Sequence, residues 1–335
     1  MTARPRSIVV ACLSALATLL PATSFLAGGN EAGSVEVGSV EAGHRLAVQG
    51  NGKLAIVDSY GEIQWELPWG GIHDIHVLKN GNLMVQQQHS KVVEIDRRTK
   101  QVIWSYDASK SNGNEGQRVE VHAFQPLVDG HVMIAESGTG RIIEIDRDGT
   151  IQNEIKLKLN NPDPHSDTRL VRKLKNGSYL VCHEADGFVR EYDGESGEVN
   201  WEYEVPLFGK EPKPGHGPKG FGNKVFGAVR LLSGNTLIAT GNGHSVLEVT
   251  PDKEIVWQIH QTDLPNITLA WVTTLEVWPN GNYVIGNCHA GPGNPLLIEI
   301  EPKAKKVVWT FDQFQTFGNS VPNSQLLDVD GEVIR

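Results

Sequence analysis

The chain is poor in cysteine, methionine and positive charge. Its 335 residues hold three cysteines and three methionines. One cysteine, Cys12, sits in an N-terminal apolar run, which leaves Cys182 and Cys288. Two thiols cannot make a disulfide framework, so the fold must rest on its core. A formal charge of −10, with no Lys/Arg run longer than two residues, argues against nucleic acid as a partner. Beyond the N-terminus no apolar run is long enough to cross a bilayer. There is no HExxH, paired CxxC, GxSxG, Walker sequence or dinucleotide fingerprint, so no local motif names a reaction. DRDGT (146–150) has the beginning of a calcium loop but lacks the later Glu, and it falls where other repeats have a turn.

The first residues, MTARPRSIVVACLSALATLLPATSFLA, have the layout of a secretory leader. Arg4 and Arg6 precede a short apolar run from Ile8 to Leu20, and small residues follow at Ala22 and Ser24. We read 1–27 as a signal peptide and 28–43, rich in Gly, Ser and Glu, as a flexible linker. Residues 44–335 then form one domain, expected to be a secreted or periplasmic monomer.

What the sequence has in plenty is glycine, 36 in all, at repeated positions. KNGN (79–82), VDGH (128–131), KNGS (175–178), LSGN (232–235) and PNGN (279–282) each separate two apolar alternating segments. Asn-Gly and Asp-Gly supply positive φ, so these predict two-residue hairpin turns. Each is followed by a pair of strands of the form KVVEIDRRTKQVIWSY. Trp65, Trp104, Trp201, Trp257 and Trp309 share one register, and Asn153 takes the place in the remaining repeat. An aromatic so placed packs repeat against repeat. Four antiparallel strands recurring every 40–55 residues or so describe propeller blades. Six units can be counted. The expected fold is therefore an all-β, six-bladed β-propeller. The first unit lacks an opening strand, which VPNSQLLDVDGEVIR at the other end supplies, closing the ring.

The Trp-ended units resemble repeats of the PQQ-like propellers, which include quinoprotein dehydrogenases and BamB-like scaffolds. HDIHVLKNGNLMV…VVEIDRRTKQVIWSY also resembles repeats of bacterial arylsulfotransferase-type propellers. The resemblance implies the fold. The vicinal Cys-Cys pair of many PQQ dehydrogenases is missing and no quinone-binding motif is present, which argues against PQQ itself. The arylsulfotransferase likeness implies a histidine nucleophile, for which His73 and His122 both qualify.

Blade strands alternate in direction, so the short repeated turns share one end of the ring and the long irregular loops share the other. Eight of the twelve histidines fall at the loop end: His73, His89, His122, His165, His183, His216, His244 and His289. Register on the repeats places His73, His122 and Arg169 together at the entry of the innermost strand, beside the channel. It also places Gln87, Glu136, His183, Thr240 and Asn287 at one equivalent strand exit. The candidate catalytic residues are thus His73, His122, His183 and Arg169. Asp74, Gln87, Asn287 and His244 are candidates for contacting substrate. His122, Glu136, His183 and His289 are candidate ligands of a divalent metal ion, since imidazoles with a carboxylate suit such ions. Two functions follow: an enzyme acting at the channel mouth on a small or sugar-derived ligand, metal-assisted or by sulfuryl transfer, or a scaffold binding a protein partner or ligand.

Overall fold

A computed structural model describes residues 43–335, and the expected leader and nearly all of the linker lie outside the described residues. Twenty-four short strands form six four-stranded antiparallel sheets. In the first blade the order from the axis outward is Ser324–Leu326, Leu46–Gly50, Lys53–Val57, Ile63–Pro68. Leu46 pairs with Leu326, so the late segment supplies the inner strand that the first repeat lacks. The innermost strands of the remaining blades are Ile75–Val77, Glu120–Pro126, Val171–Lys173, Gly227–Arg230 and Trp271–Val277. The second and third strands of the blades bury nearly every residue, because each sheet is covered on both faces by its neighbours. Among the described residues no helix is long and apolar enough to cross a membrane.

The repeated turns differ from the two-residue hairpins expected. Leu78 N–H bonds to Asn82 O at 2.8 Å and Gly81 N–H to Leu78 O at 2.8 Å, which encloses three residues. Only the glycine is left-handed: Gly81, Gly130, Gly177, Gly234 and Gly281 have φ of 85–92°. The Asn, Asp or Ser before it has another task. Asn80, Asp129, Asn176 and Asn280 each accept the N–H two residues on through the side-chain oxygen, at 2.9–3.1 Å. Dipeptide chemistry alone does not separate these two turns, since both want Asn-Gly.

Every blade carries a bulge between its third and fourth strands, at Glu94/Ile95 and the five equivalent places. The extra residue faces out, which explains exposed Ile103, Val256 and Val308. The next residue is the tryptophan. Its indole N–H donates to a carbonyl in the third turn of the following blade: Trp65 to Arg97 at 2.7 Å, Trp104 to Arg147 at 2.7 Å, Trp201 to Pro251 at 2.9 Å, Trp257 to Pro302 at 2.8 Å. Asn153 Nδ2 makes the same bond to Gly194 O at 2.9 Å, so the odd repeat keeps the buckle with an amide. Trp257→Phe keeps most of the packing and loses the donor. It should lower stability by about 1 kcal/mol in urea unfolding; an unchanged midpoint would assign the buckle to packing alone.

Closing a ring leaves backbone N–H groups along the inner strands in need of acceptors. Side chains supply them from blade to blade. Gln325 accepts from Val77 N–H at 2.7 Å, Asp74 from Phe124 at 3.3 Å, Gln125 from Lys173 at 2.9 Å and Glu276 from Leu326 at 3.1 Å. Arg335 fills the axis at the turn end, donating to Ile75 O at 2.7 Å and Gln325 Oε1 at 2.8 Å.

Candidate functional site

Six inner strands begin around the loop end of the channel, and their first residues form its mouth. The inner strand of blade three begins at Glu120. Its register slips between Val121 and Ala123, so His122 is the extra residue of a bulge and is turned out of the ladder. The loop before blade four brings in His165. Glu120 Oε2 lies 2.8 Å from His165 Nδ1 and 3.2 Å from His122 Nε2, and the three atoms that could bind a metal all lie within 4.8 Å of one another. His73, just before the inner strand of blade two, sets its ring 4.7 Å from that of His122. Gln86 Oε1 holds it, taking the His73 backbone N–H at 3.1 Å and facing Nδ1 at 3.3 Å. Arg169 bonds to Glu184 through Nε and to His165 O at 2.5 Å through Nη1.

Proton accounting leaves His122 incomplete beside a carboxylate. A neutral imidazole has one N–H, yet both ring nitrogens face acceptors: Thr168 O at 3.1 Å and Glu120 Oε2 at 3.2 Å. Burial pushes its pKa down to about 4 against the pull of Glu120, and the Arg169 and His165 charges act in the same direction as burial. The ring is therefore neutral at pH 7 and one acceptor is unanswered. Glu120 is ionised there: its bond to His122, opposed by burial and joined by His165 and Arg118, holds it well below the usual carboxylate range. Arg118 pairs with Glu120 through Oε1 at 2.6 Å, so what is left unanswered is the contact of Oε2 with the His122 lone pair, and a cation placed there would answer both. His73 is also kept neutral, first by burial and then by the His122 and Arg169 charges. Its Nε2 has no protein partner among the described residues, so the lone pair is open to a ligand.

The far side of the mouth is built of rings. Phe226, Trp271 and Cys288 pack together, with Phe226 6.5 Å from His73. His216 lies 4.8 Å from Trp271 and 5.3 Å from His289. Burial raises the Cys288 thiol to about 11, which makes it a poor ligand or nucleophile at neutral pH.

Of the residues expected at the site, His73, His122 and Arg169 are brought together. The others lie elsewhere. His183 is enclosed in blade four, where Nδ1 meets Asp167 O at 2.7 Å and Nε2 meets Tyr192 Oη at 2.9 Å, leaving nothing unanswered. Glu136 is taken by Arg141 at 2.7 Å, Asn114 at 2.9 Å and Tyr106 at 3.2 Å. Asn287 braces Ala270 N–H and Thr268 O at 2.9 and 3.2 Å. His244 is wedged between Ala270 O at 2.6 Å and Gly220 O at 2.5 Å. Asp74 belongs to the axial network, doubly bonded to Arg172 at 2.7 and 2.9 Å. His289 stands on the aromatic wall, its ring 5.3 Å from that of His216 and 6.5 Å from that of Trp271, and it is not among the residues that meet at Glu120. Gln87 makes no bond to the cluster; its neighbour Gln86 does. Glu120, His165, Gln86 and Glu184 are the additions that the structure supplies.

At the opposite, turn end lies a groove of about 990 Å³ lined by Val128, Lys175, Leu232 and Val333 among others. Val128 and Leu232 are 102% and 88% exposed, the barest large apolar side chains among the described residues.

A family model described as outer membrane protein assembly factor BamB matches residues 50–311. No curated protein matches the chain. Among solved structures, a Bacteroides caccae protein of unknown function is 22% identical with a TM-score of 0.69, covering 86% of this chain and 100% of that one. A streptogramin B lyase is 12% identical with a TM-score of 0.54, over 86% and 95%. A catalytically inactive His-to-Ala variant of virginiamycin B lyase from Staphylococcus aureus, with quinupristin, is 15% identical with a TM-score of 0.51, over 84% and 88%. At these identities the likeness is one of fold.

Proposed function

The chain belongs to the outer membrane protein assembly factor BamB family of PQQ-like propellers, and from that scaffold we propose that it is an exported enzyme working at its channel mouth. The observation that carries this reading is the meeting of Glu120, His122 and His165 around a place where an acceptor goes unanswered. A divalent ion of the kind imidazole and carboxylate favour would sit there and polarise a substrate oxygen. Thr168 O orients the His122 ring, as partners of metal-binding histidines do. His73, neutral and steered by Gln86, moves the proton. If the reaction is sulfuryl transfer instead, the same geometry favours His73 over His122 as nucleophile, because both His122 nitrogens are blocked by Thr168 O and Glu120 whereas His73 Nε2 has no protein partner among the described residues. The substrate is small or sugar-derived. Protein loaded with Mn²⁺ or Zn²⁺ and desalted should retain about one ion per chain by mass spectrometry, and His122→Ala should retain none. Wild-type protein free of metal after loading would overturn the metal-assisted form.

A second reading rests on the turn-end groove, whose bare Val128 and Leu232 suit docking of a protein partner. A Val128→Asp/Leu232→Asp variant that loses its role in cells while still holding metal would favour the scaffold.

A further inference from the structure

Resting on that reading of the mouth, we propose that its ligand is an acidic sugar, with the oxyanion held between Arg169 and Lys224 and the ring set against His216 and His289, which Trp271 backs. Charge gives the first half of the argument. Glu184 faces two cations, bonding to Arg169 Nε and lying 3.8 Å from Lys224 Nζ. Among the described residues Arg169 Nη2 has no protein partner. One carboxylate thus leaves a cation to spare, and a free guanidinium nitrogen and an ammonium stand ready for an oxyanion. The loop that delivers Lys224 extends the excess. Residues 208–224 contain Lys210, Lys213, Lys219 and Lys224 against Glu211 alone, in a chain of net charge −10. Such a field draws anions toward the mouth.

The loop is also fixed in place. Lys213 and Phe221 pair as an antiparallel bridge. The buried His244 ring reaches Gly220 O at 2.5 Å, and Gln261 Nε2 bonds to Pro218 O at 2.8 Å. These bonds explain why a histidine far from the chemistry is enclosed at the base of a surface loop. They hold His216, at the loop's tip, against Trp271.

The composition of the wall gives the second half. Phe226 and Trp271 are only 5% and 6% exposed and back the wall, so the accessible rings are those of exposed His216 and half-buried His289, flat faces that receive the C–H face of a pyranose. His216 and His289, however, bring ring nitrogens with no partner among the described residues. A purely aromatic acid would leave those nitrogens unpaired on binding, and the hydroxyls of a sugar would answer them.

The test is calorimetric titration with three tetrasaccharides on one backbone at equal ionic strength: carboxylated, sulfated and neutral. Wild type should bind a charged sugar at least about ten-fold more tightly than the neutral one. The two charged arms report which oxyanion is preferred. Lys224→Met, at a half-exposed side chain whose loss leaves the core intact, should remove most of that preference. His216→Ala should weaken all three sugars alike. Equal binding of charged and neutral sugars, or an unchanged preference in Lys224→Met, overturns the proposal. Metal content is measured on the same samples. A charge preference in protein that takes no metal would leave this inference standing and sink the metal-assisted reading alone. Normal metal content with no preference would do the reverse.

Discussion

Replacing Asp74 by alanine is expected to cost about 3–5 kcal/mol of stability, more than the loss of any buckle or rim contact. Asp74 is fully buried and lies near the axis. Its carboxylate takes two bonds from Arg172 of blade four, one from Asn323 at 3.1 Å, and the Ile75 and Phe124 N–H groups at 3.0 and 3.3 Å. Removing it strands a guanidinium that is itself only 5% exposed. The cost therefore comes from the charge left behind, and removing Arg172 as well should recover most of it. The Asp74→Ala/Arg172→Met double variant should lie well above Asp74→Ala in urea unfolding. Two losses that simply add would mean the pair is not coupled. The acid limb offers a second check. Burial would raise the Asp74 pKa, but Arg172 and then His76 outweigh it and hold it far below the ordinary value. A depressed folded-state pKa gives stability that is fully present above the unfolded value near 3.9 and lost as pH falls toward the folded one. Wild type should thus lose stability below about pH 4 more steeply than the double variant.

The same residue shows how far sequence reading reaches. Asp74 stands in HDIH, directly after His73, and beside a channel both look fit for substrate. What separates them is direction: His73 opens on the mouth while Asp74 turns along the axis toward Arg172, in a blade two further round the ring. The fold is readable because six copies of one pattern vote on every strand, so an error in one repeat is corrected by five others. A site is built from what the repeats do not share, and no such vote exists. The strand-exit residues Gln87, Glu136 and His183 are equivalent by repeat register, yet Glu136 and His183 spend their bonds inside the blades. Side chains one place away, Gln86 and Glu184, face the mouth. Strand direction alternates with a period of two, so a slip of one residue reverses every inference about which side a residue serves. Glu120 had a readable signal, because Glu-Val-His places two ligand types two apart at a strand entry. His165 had none beyond its loop, since a segment without periodicity carries no information on where it folds back.

The histidines teach a related lesson. Composition and exposure do not distinguish His183 from His122, both of which are buried with pKa values pushed down to about 4 by burial first. Counting donors does. His183 gives its proton to a carbonyl and receives one from a tyrosine, and is complete. His122 faces two acceptors and is not. His244 also faces two acceptors, the Ala270 and Gly220 carbonyls, so the donor count alone does not mark a site; the mouth is marked because the unanswered His122 nitrogen lies beside the Glu120 carboxylate and His165.

Glu120→Gln should therefore have effects of opposite sign in metal-free and metal-loaded protein. Without metal, a carboxylate and two acceptor-facing imidazole nitrogens compete for one proton. A glutamine amide can donate to His122 Nε2 while His122 gives its own proton to Thr168 O, so both ring nitrogens are answered. The bonds lost are to Arg118, two-thirds exposed, and to the half-exposed His165, and pairs of that kind contribute little. Metal-free Glu120→Gln should thus be as stable as wild type or about 1 kcal/mol more stable. With ion at a hundred times its dissociation constant, wild type gains about 2.7 kcal/mol, a rise of roughly 5 °C in unfolding temperature. The variant, lacking its charged ligand, should gain almost nothing. Thermal unfolding of both proteins with EDTA and with Mn²⁺ or Zn²⁺ reads all four values. A variant less stable than wild type without metal would show that Glu120 is there to hold the loop. One that keeps the full metal-induced rise would place the ion somewhere other than among Glu120, His122 and His165.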